Sequence, residues 1–235
     1  MDLILIPGLW LDASSWDAVV PTLREAGHRT HPLTLPGMES VDADRSGITF
    51  ADHVDAVVAA VDALGSQAEV VLVGHSGGGA VAHAAADARP DRVARVVYVD
   101  SGPVGDGGCI NDDLPVVDGE IPLPDWSVFE AEDLVDLDDE LRVTFRDRSI
   151  PSPARVAADP VRLSDERRYD VPATVICCEF PSAMLKEFIA RDSPFTRELA
   201  RMRDVSYLDL PTGHWPQFTR PADLGRAIVD SVGAA

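Results

Sequence analysis

Positive charge is what this chain has least of. Its 235 residues hold 20 Lys and Arg against 40 Asp and Glu, a formal net charge of -20, and Lys186 is the only lysine. Such a surface repels nucleic acid and anionic membrane alike, so neither is expected as a partner. Cysteine is scarce as well. Cys109, Cys177 and Cys178 form an odd set without framework spacing, so structural disulfides are not implied. No apolar run reaches membrane-spanning length, and Met1-Asp2-Leu3-Ile4-Leu5-Ile6 lacks the basic region and length of a secretion signal. A cytoplasmic location is the resulting expectation. His28, His31, His53 and His83 lack metal-ligand spacing, so no metal site is expected, and G-x-G-x-x-G is absent.

What is present centres on Val70-Val71-Leu72-Val73-Gly74-His75-Ser76-Gly77-Gly78-Gly79-Ala80-Val81-Ala82. An apolar strand-like run meets a glycine-flanked serine and passes at once into an Ala-rich helical pattern. A serine on so sharp a turn needs very small residues two positions before and two after it, and Gly74 and Gly78 supply them. The turn lifts the Ser76 hydroxyl off the sheet beside the first free amides of a helix, the geometry acyl transfer requires.

Strand and helix patterns alternate around this stretch. Strands are expected at Leu3 to Ile6, His28 to Leu33, Glu69 to Val73, Val93 to Val99, Val171 to Cys178 and Val205 to Leu210. Helices are expected from Trp16 to Ala26, capped by Ser14 or Ser15 and marked or kinked by Pro21, and from Thr49 to Leu64. Others follow from Gly77 to Ala88, within Ser182 to Arg203, and from Pro221 to Val232. Residues 101-169 break the alternation with scattered prolines and a dense acidic run from Glu130 to Glu140, and suggest a cap inserted in a single domain spanning 1-235. The acidic run is expected to form the solvated face of a cap helix.

Alternation of this kind predicts an α/β fold with a mostly parallel sheet covered on both faces, and chemistry beyond the carboxyl ends of its strands. Pro7-Gly8-Leu9-Trp10, Gly74-His75-Ser76, Asp100-Ser101 and Gly213-His214 all fall there. Ser, Asp and His therefore gather on one edge.

The Pro7-Gly8-Leu9-Trp10 turn before Trp16, the Gly74-His75-Ser76-Gly77-Gly78 elbow and the late Gly213-His214-Trp215 turn together resemble the α/β-hydrolase superfamily, in its small esterase and hydroxynitrile-lyase-like branch. The resemblance covers nearly the whole chain and implies six strands in the order 2-1-3-4-5-6. It implies Ser76 as nucleophile, His214 as general base, and an oxyanion hole formed by the backbone N-H groups of Leu9 and Gly77. The acid departs from the family pattern, because Cys178-Glu179-Phe180-Pro181 stands where many members have Gly-x-x-Asp. Asp100, after the fourth strand, is the preferred acid and Glu179 the alternative. Trp10, His75, Trp126, Phe180 and Trp215 are the candidate pocket residues.

The expected activity is cofactor-free cleavage of a small, neutral, apolar carboxylic ester, thioester or lactone through an acyl-serine. A lyase or carbon-carbon hydrolase using the same site, and a ligand-binding protein without turnover, are the alternatives. Monomer and homodimer are both compatible with the sequence.

Overall fold

Apolar residues in the strands alternate between two separate cores, which shows that both faces of the sheet are covered. In β1 (Asp2–Ile6), Leu3 and Leu5 face one core while Ile4 and Ile6 face the other. In β3 (Val70–His75), Val71 and Val73 separate from Val70 and Leu72 in the same way. This is the period-2 consequence of an extended chain buried on both sides. The computed structural model describes residues 1–233 and contains no helix long and apolar enough to cross a membrane among them.

Four further strands complete the sheet: β2 (Arg29–Pro32), β4 (Val93–Val99), β5 (Ala173–Cys177) and β6 (Val205–Asp209). Their order is β2-β1-β3-β4-β5-β6 and every pairing is parallel, as the expected 2-1-3-4-5-6 order required. Register brings the strand ends level: Ile6 pairs with Gly74, His75 with Val99, and Val99 with Ile176. The residues that follow these ends therefore meet at one edge.

Helices cover the faces as their sequences dictate. Thr49 caps α2 (Phe50–Ala63) in a reciprocal capping box with Asp52. α3 (Gly77–Ala88) is buried along nearly its whole length, which its run of Gly and Ala allows by letting it lie close to the sheet. On the opposite face α9, as we number the last helix (Pro221–Gly233), places Leu224, Ile228 and Val232 against Trp16 and Leu23. The expected first helix is instead two pieces. A 3-10 turn, Ala13–Trp16, is capped by Asp12 rather than by Ser14 or Ser15, and Pro21 sits in the first turn of α1 (Val20–Glu25), where its missing N-H costs nothing.

Between β4 and β5 the chain builds a small antiparallel pair, Glu120–Ile121 with Ser152–Pro153, and the helices α4 (Asp139–Arg148) and α5 (Ala154–Ala158). The acidic run is not a helix face. Residues 131–136 form turns, Asp138 is the N-cap of α4, and of the run only Asp139 and Glu140 lie within the helix, in its first turn. Carboxylates satisfy free N-H groups at a helix start and oppose its interior, which accounts for the break. This segment packs on a third core of Trp10, Ile121, Phe145 and Trp215. The chain then continues through α6 (Ser182–Ala190), α7 (Arg197–Arg201) and α8 (Pro216–Thr219).

A buried ionic network ties α3 to α7. Arg168 contacts Glu198 at 2.9 Å and Asp87 at 3.1 Å, and His83 joins Glu198 at 3.1 Å. Burial pushes the Glu198 carboxyl up, but hydrogen bonds from His83 and Arg168 outweigh it and hold it at about 2. Its contribution to stability is complete above the ordinary carboxylate range and is lost as pH falls toward that value. Glu198→Ala leaves Arg168 short of its main counter-charge, so a loss of about 3–5 kcal/mol is expected. Urea denaturation at neutral pH, compared with wild type, measures it.

Candidate active site

Ser76 sits between β3 and α3 with φ 52° and ψ -127°, in a region L-residues rarely adopt. The glycines around it show why that conformation survives. A Cβ on Gly74 would lie 2.7 Å from Gly78 C and Gly79 Cα, and one on Gly78 would lie 2.5 Å from Pro7 O. The Ser76 N-H donates to Val99 O at 3.1 Å, and its carbonyl accepts from Gly79 N-H at 2.9 Å and Ser101 Oγ at 2.6 Å. The elbow is thus pinned from β4 as well as from its own helix.

His214 comes from the loop after β6. The Ser76 hydroxyl donates to His214 Nε2 at 2.8 Å, and His214 Nδ1-H donates to Asp100 Oδ2 at 2.7 Å. Oε1 of Glu179 lies 2.5 Å from the same Nδ1, so both candidate acids meet one imidazole nitrogen. Asp100 is held at φ 44°, and its Oδ1 accepts the N-H groups of Cys178 at 2.9 Å and Glu179 at 3.2 Å. Burial disfavours the imidazolium, but the carboxylates of Asp100 and Glu179 beside Nδ1 more than offset it and raise His214 to about 10. Burial raises Glu179 to about 7, beside Asp100; for Asp100 burial is outweighed by His214, and its carboxyl stays below the ordinary range. Asp100, Glu179 and His214 are also the one cluster of possible cation ligands among the described residues. The His214–Asp100 hydrogen bond, the Glu179 N-H donated to Asp100 and the Glu179–His214 ion pair account for the approach.

The His214 loop is clamped on three sides. His214 N-H donates to Asp133 O at 2.8 Å, Gly213 N-H donates to Val135 O at 3.0 Å, and His75 Nε2-H donates to His214 O at 2.7 Å. His75 is fully buried, and burial pushes its imidazole down to about 3, so it stays neutral. It supports the loop and is not among the cavity-lining residues, which corrects its expected place in the pocket.

Above Ser76 lies a cavity of about 560 Å³ lined by Leu9, Trp10, Gly77, Phe129 and the Ser76–His214 pair, among others. Leu9 and Gly77 are close neighbours: a Cβ on Gly77 would stand 3.6 Å from Leu9 Cγ. Gly77 opens α3, so its N-H has no acceptor within the helix. Trp126 and Trp215 do not line this cavity. They meet edge-on at 5.8 Å in the third core, with Phe145 5.1 Å from Trp215. Phe180 lines a second, apolar chamber of about 250 Å³ that shares Asp100, Glu179, Phe195 and His214 with the first. Phe129, Phe195, Ile110 and Leu114 are among the wall residues that the sequence did not single out, and none of them lies in a motif or at a strand end.

A serine hydroxyl hydrogen-bonded to an imidazole, carboxylates on the other side of that imidazole, and the first amide of a helix beside them are the geometry of a hydrolase built on an α/β sheet. Residues 3–227 match the model of the alpha/beta hydrolase family, and the chain belongs to that family, within its esterase branch. It is 33% identical to a pyrethroid hydrolase from Sphingobium wenxiniae, across 99% of this chain and 88% of that one. A 39% identical stretch of 99 residues relates it to esterase PIR7B of Oryza sativa subsp. japonica, covering 41% of this chain and 37% of the relative. Among solved structures, a methylesterase from Arabidopsis superposes with a TM-score of 0.78 at 16% identity, covering 100% of both chains.

Proposed function

We propose that this chain is a serine hydrolase acting on a small neutral carboxylic ester, thioester or lactone through an acyl-Ser76 intermediate. The observation that carries the reading is the continuous hydrogen-bonded line from Ser76 Oγ through His214 to Asp100, at 2.8 and 2.7 Å, set at a strained elbow. His214 Nε2 takes the Ser76 proton as Oγ attacks the carbonyl carbon. The N-H groups of Leu9 and Gly77 receive the developing oxyanion. His214 then protonates the leaving oxygen or sulfur, and water repeats the sequence on the acyl-enzyme. No cofactor enters these steps.

Neutral substrates are favoured by the wall. Asp100, Asp133 and Glu179 border the cavity and neither Lys nor Arg is among its lining residues. Its volume of about 560 Å³ suits a small organic molecule. The esterase and pyrethroid-hydrolase names of the relatives support ester cleavage.

A panel of chromogenic esters, thioesters and lactones tests this. Neutral members should turn over. A carboxylate on the substrate at ~10 Å from one wall carboxylate costs about 1.7 kcal/mol at an effective dielectric of ~20, so kcat/KM should fall roughly 10-fold or more. Absence of turnover on every member, together with absence of labelling by a fluorophosphonate, would identify a ligand-binding protein instead.

A further inference from the structure

One acid suffices to orient an imidazole, yet two reach His214 here. Asp100 Oδ2 lies 2.7 Å and Glu179 Oε1 2.5 Å from the same Nδ1, and the Glu179 side chain is only 11% exposed. A residue just past a strand end could turn its carboxylate to water and avoid the cost of burial. Glu179 instead donates its backbone N-H to Asp100 Oδ1 at 3.2 Å and folds its side chain back onto the imidazole. Main chain and side chain of one residue thereby fix both the first acid and the base.

We propose that Glu179 is a second acid of the site, a positioning residue that faces His214 Nδ1 together with Asp100, Asp100 accepting the Nδ1-H and Glu179 pairing with the imidazolium from 2.5 Å. This rests on the serine-hydrolase reading and names a further residue for it. Two carboxyl groups on one nitrogen make the orientation redundant, and they stabilise imidazolium more than one does.

The pH dependence follows from what surrounds His214. His75, from β3, is kept neutral by burial. Beside the acids, burial pushes the Cys178 thiol strongly up and the Cys177 thiol to about 12, so both stay uncharged near neutrality. Asp133, from the cap, offers its carbonyl to His214 N-H and remains in every variant compared. An ionised Glu179 favours imidazolium, whereas a protonated one is matched in charge by glutamine. Glu179→Gln therefore lowers the pH at which His214 becomes a free base, and the acidic limb of the kcat/KM profile moves down.

The test compares wild type, Glu179→Gln, Asp100→Asn and the double variant. Readouts are ester turnover, the pH dependence of Ser76 inactivation by a fluorophosphonate, and the low-field proton NMR signal of His214 Nδ1-H. Glu179→Gln should shift the acidic limb down by about 1 pH unit or more. Asp100→Asn, which tolerates the positive φ, should lose well under the ~10⁴-fold expected for the loss of a sole acid, and the double variant should reach about 10⁴-fold. An Asp100→Asn loss of the full ~10⁴-fold, with Glu179→Gln superimposing on wild type in rate and pH profile, overturns the proposal. Should the chain neither label nor hydrolyse, the hydrolase reading fails by itself, while the pH titration of the NMR signal in Glu179→Gln still reports whether the second acid holds the imidazole.

Discussion

Ser76→Ala is expected to abolish fluorophosphonate labelling and to lower ester kcat by about 10⁶-fold, leaving only the catalysis that binding and the oxyanion donors supply. The size follows from the division of work at the site. Ser76 Oγ donates to His214 Nε2 at 2.8 Å, so its removal deletes the bond-forming atom and leaves the base with no proton to accept. His214→Ala should lose a similar amount, and the double variant little more, because the two act as one unit. Folding should be untouched by Ser76→Ala. Alanine keeps the Cβ already accommodated at φ 52°, and the contacts that pin the elbow use the Ser76 backbone N-H and carbonyl, not its hydroxyl. Thermal melting and the pocket affinity for a neutral ester should therefore match wild type. Full turnover by Ser76→Ala would remove the nucleophile from the reading altogether.

How much of this was legible in the chain depended on whether the backbone alone carried the signal. Gly74 and Gly78 announced the elbow because a Cβ at either position collides with backbone, and that constraint depends only on local geometry. The sheet order was legible from strand-helix alternation with the hydrolase resemblance, and β4 runs over Val93–Val99 as its apolar run predicted. Asp100 was preferred to Glu179 on its place after the fourth strand, but that both carboxyls meet one imidazole nitrogen was not legible. They follow β4 and β5, parallel neighbours whose ends are level, so sequence places both within reach while their side-chain paths depend on packing. Nor could it sort the tryptophans. Trp10 borders the cavity while Trp126 and Trp215 pack against each other below it. That difference is decided by the segment between β4 and β5, whose path follows turn chemistry at Asp125 and Asp138 rather than any long periodic pattern. Trp10 itself is held at φ 66° with its N-H donating to Ser152 Oγ at 2.8 Å, a link across 142 positions that no local reading can foresee.

Gly78→Ala is the most informative substitution that leaves every reacting side chain in place. The added methyl would stand 2.5 Å from Pro7 O and 2.6 Å from Ile6 O, both backbone atoms. β1 is paired on both sides, to β2 and β3, and cannot retreat, so the start of α3 must move instead. Gly77 moves with it. Displacing one oxyanion donor is expected to lower kcat about 10²- to 10³-fold, while KM changes little because the donor acts on the transition state rather than on the bound ester. Overpacking should also reduce stability by about 1–3 kcal/mol. Fluorophosphonate labelling should slow in step with kcat, since its phosphoryl oxygen occupies the same hole. Gly65→Ala is the matched control, having nothing within 4 Å of its new methyl, and should leave rate and stability near wild type. A Gly78→Ala protein with unchanged kcat would mean that the contact is relieved without moving Gly77, or that the Gly77 N-H does not serve the oxyanion. Fluorophosphonate rates separate these cases when Leu9→Pro is measured alongside. That substitution deletes the other proposed donor outright, and its loss should exceed that of Gly78→Ala only where Leu9 N-H carries the hole alone.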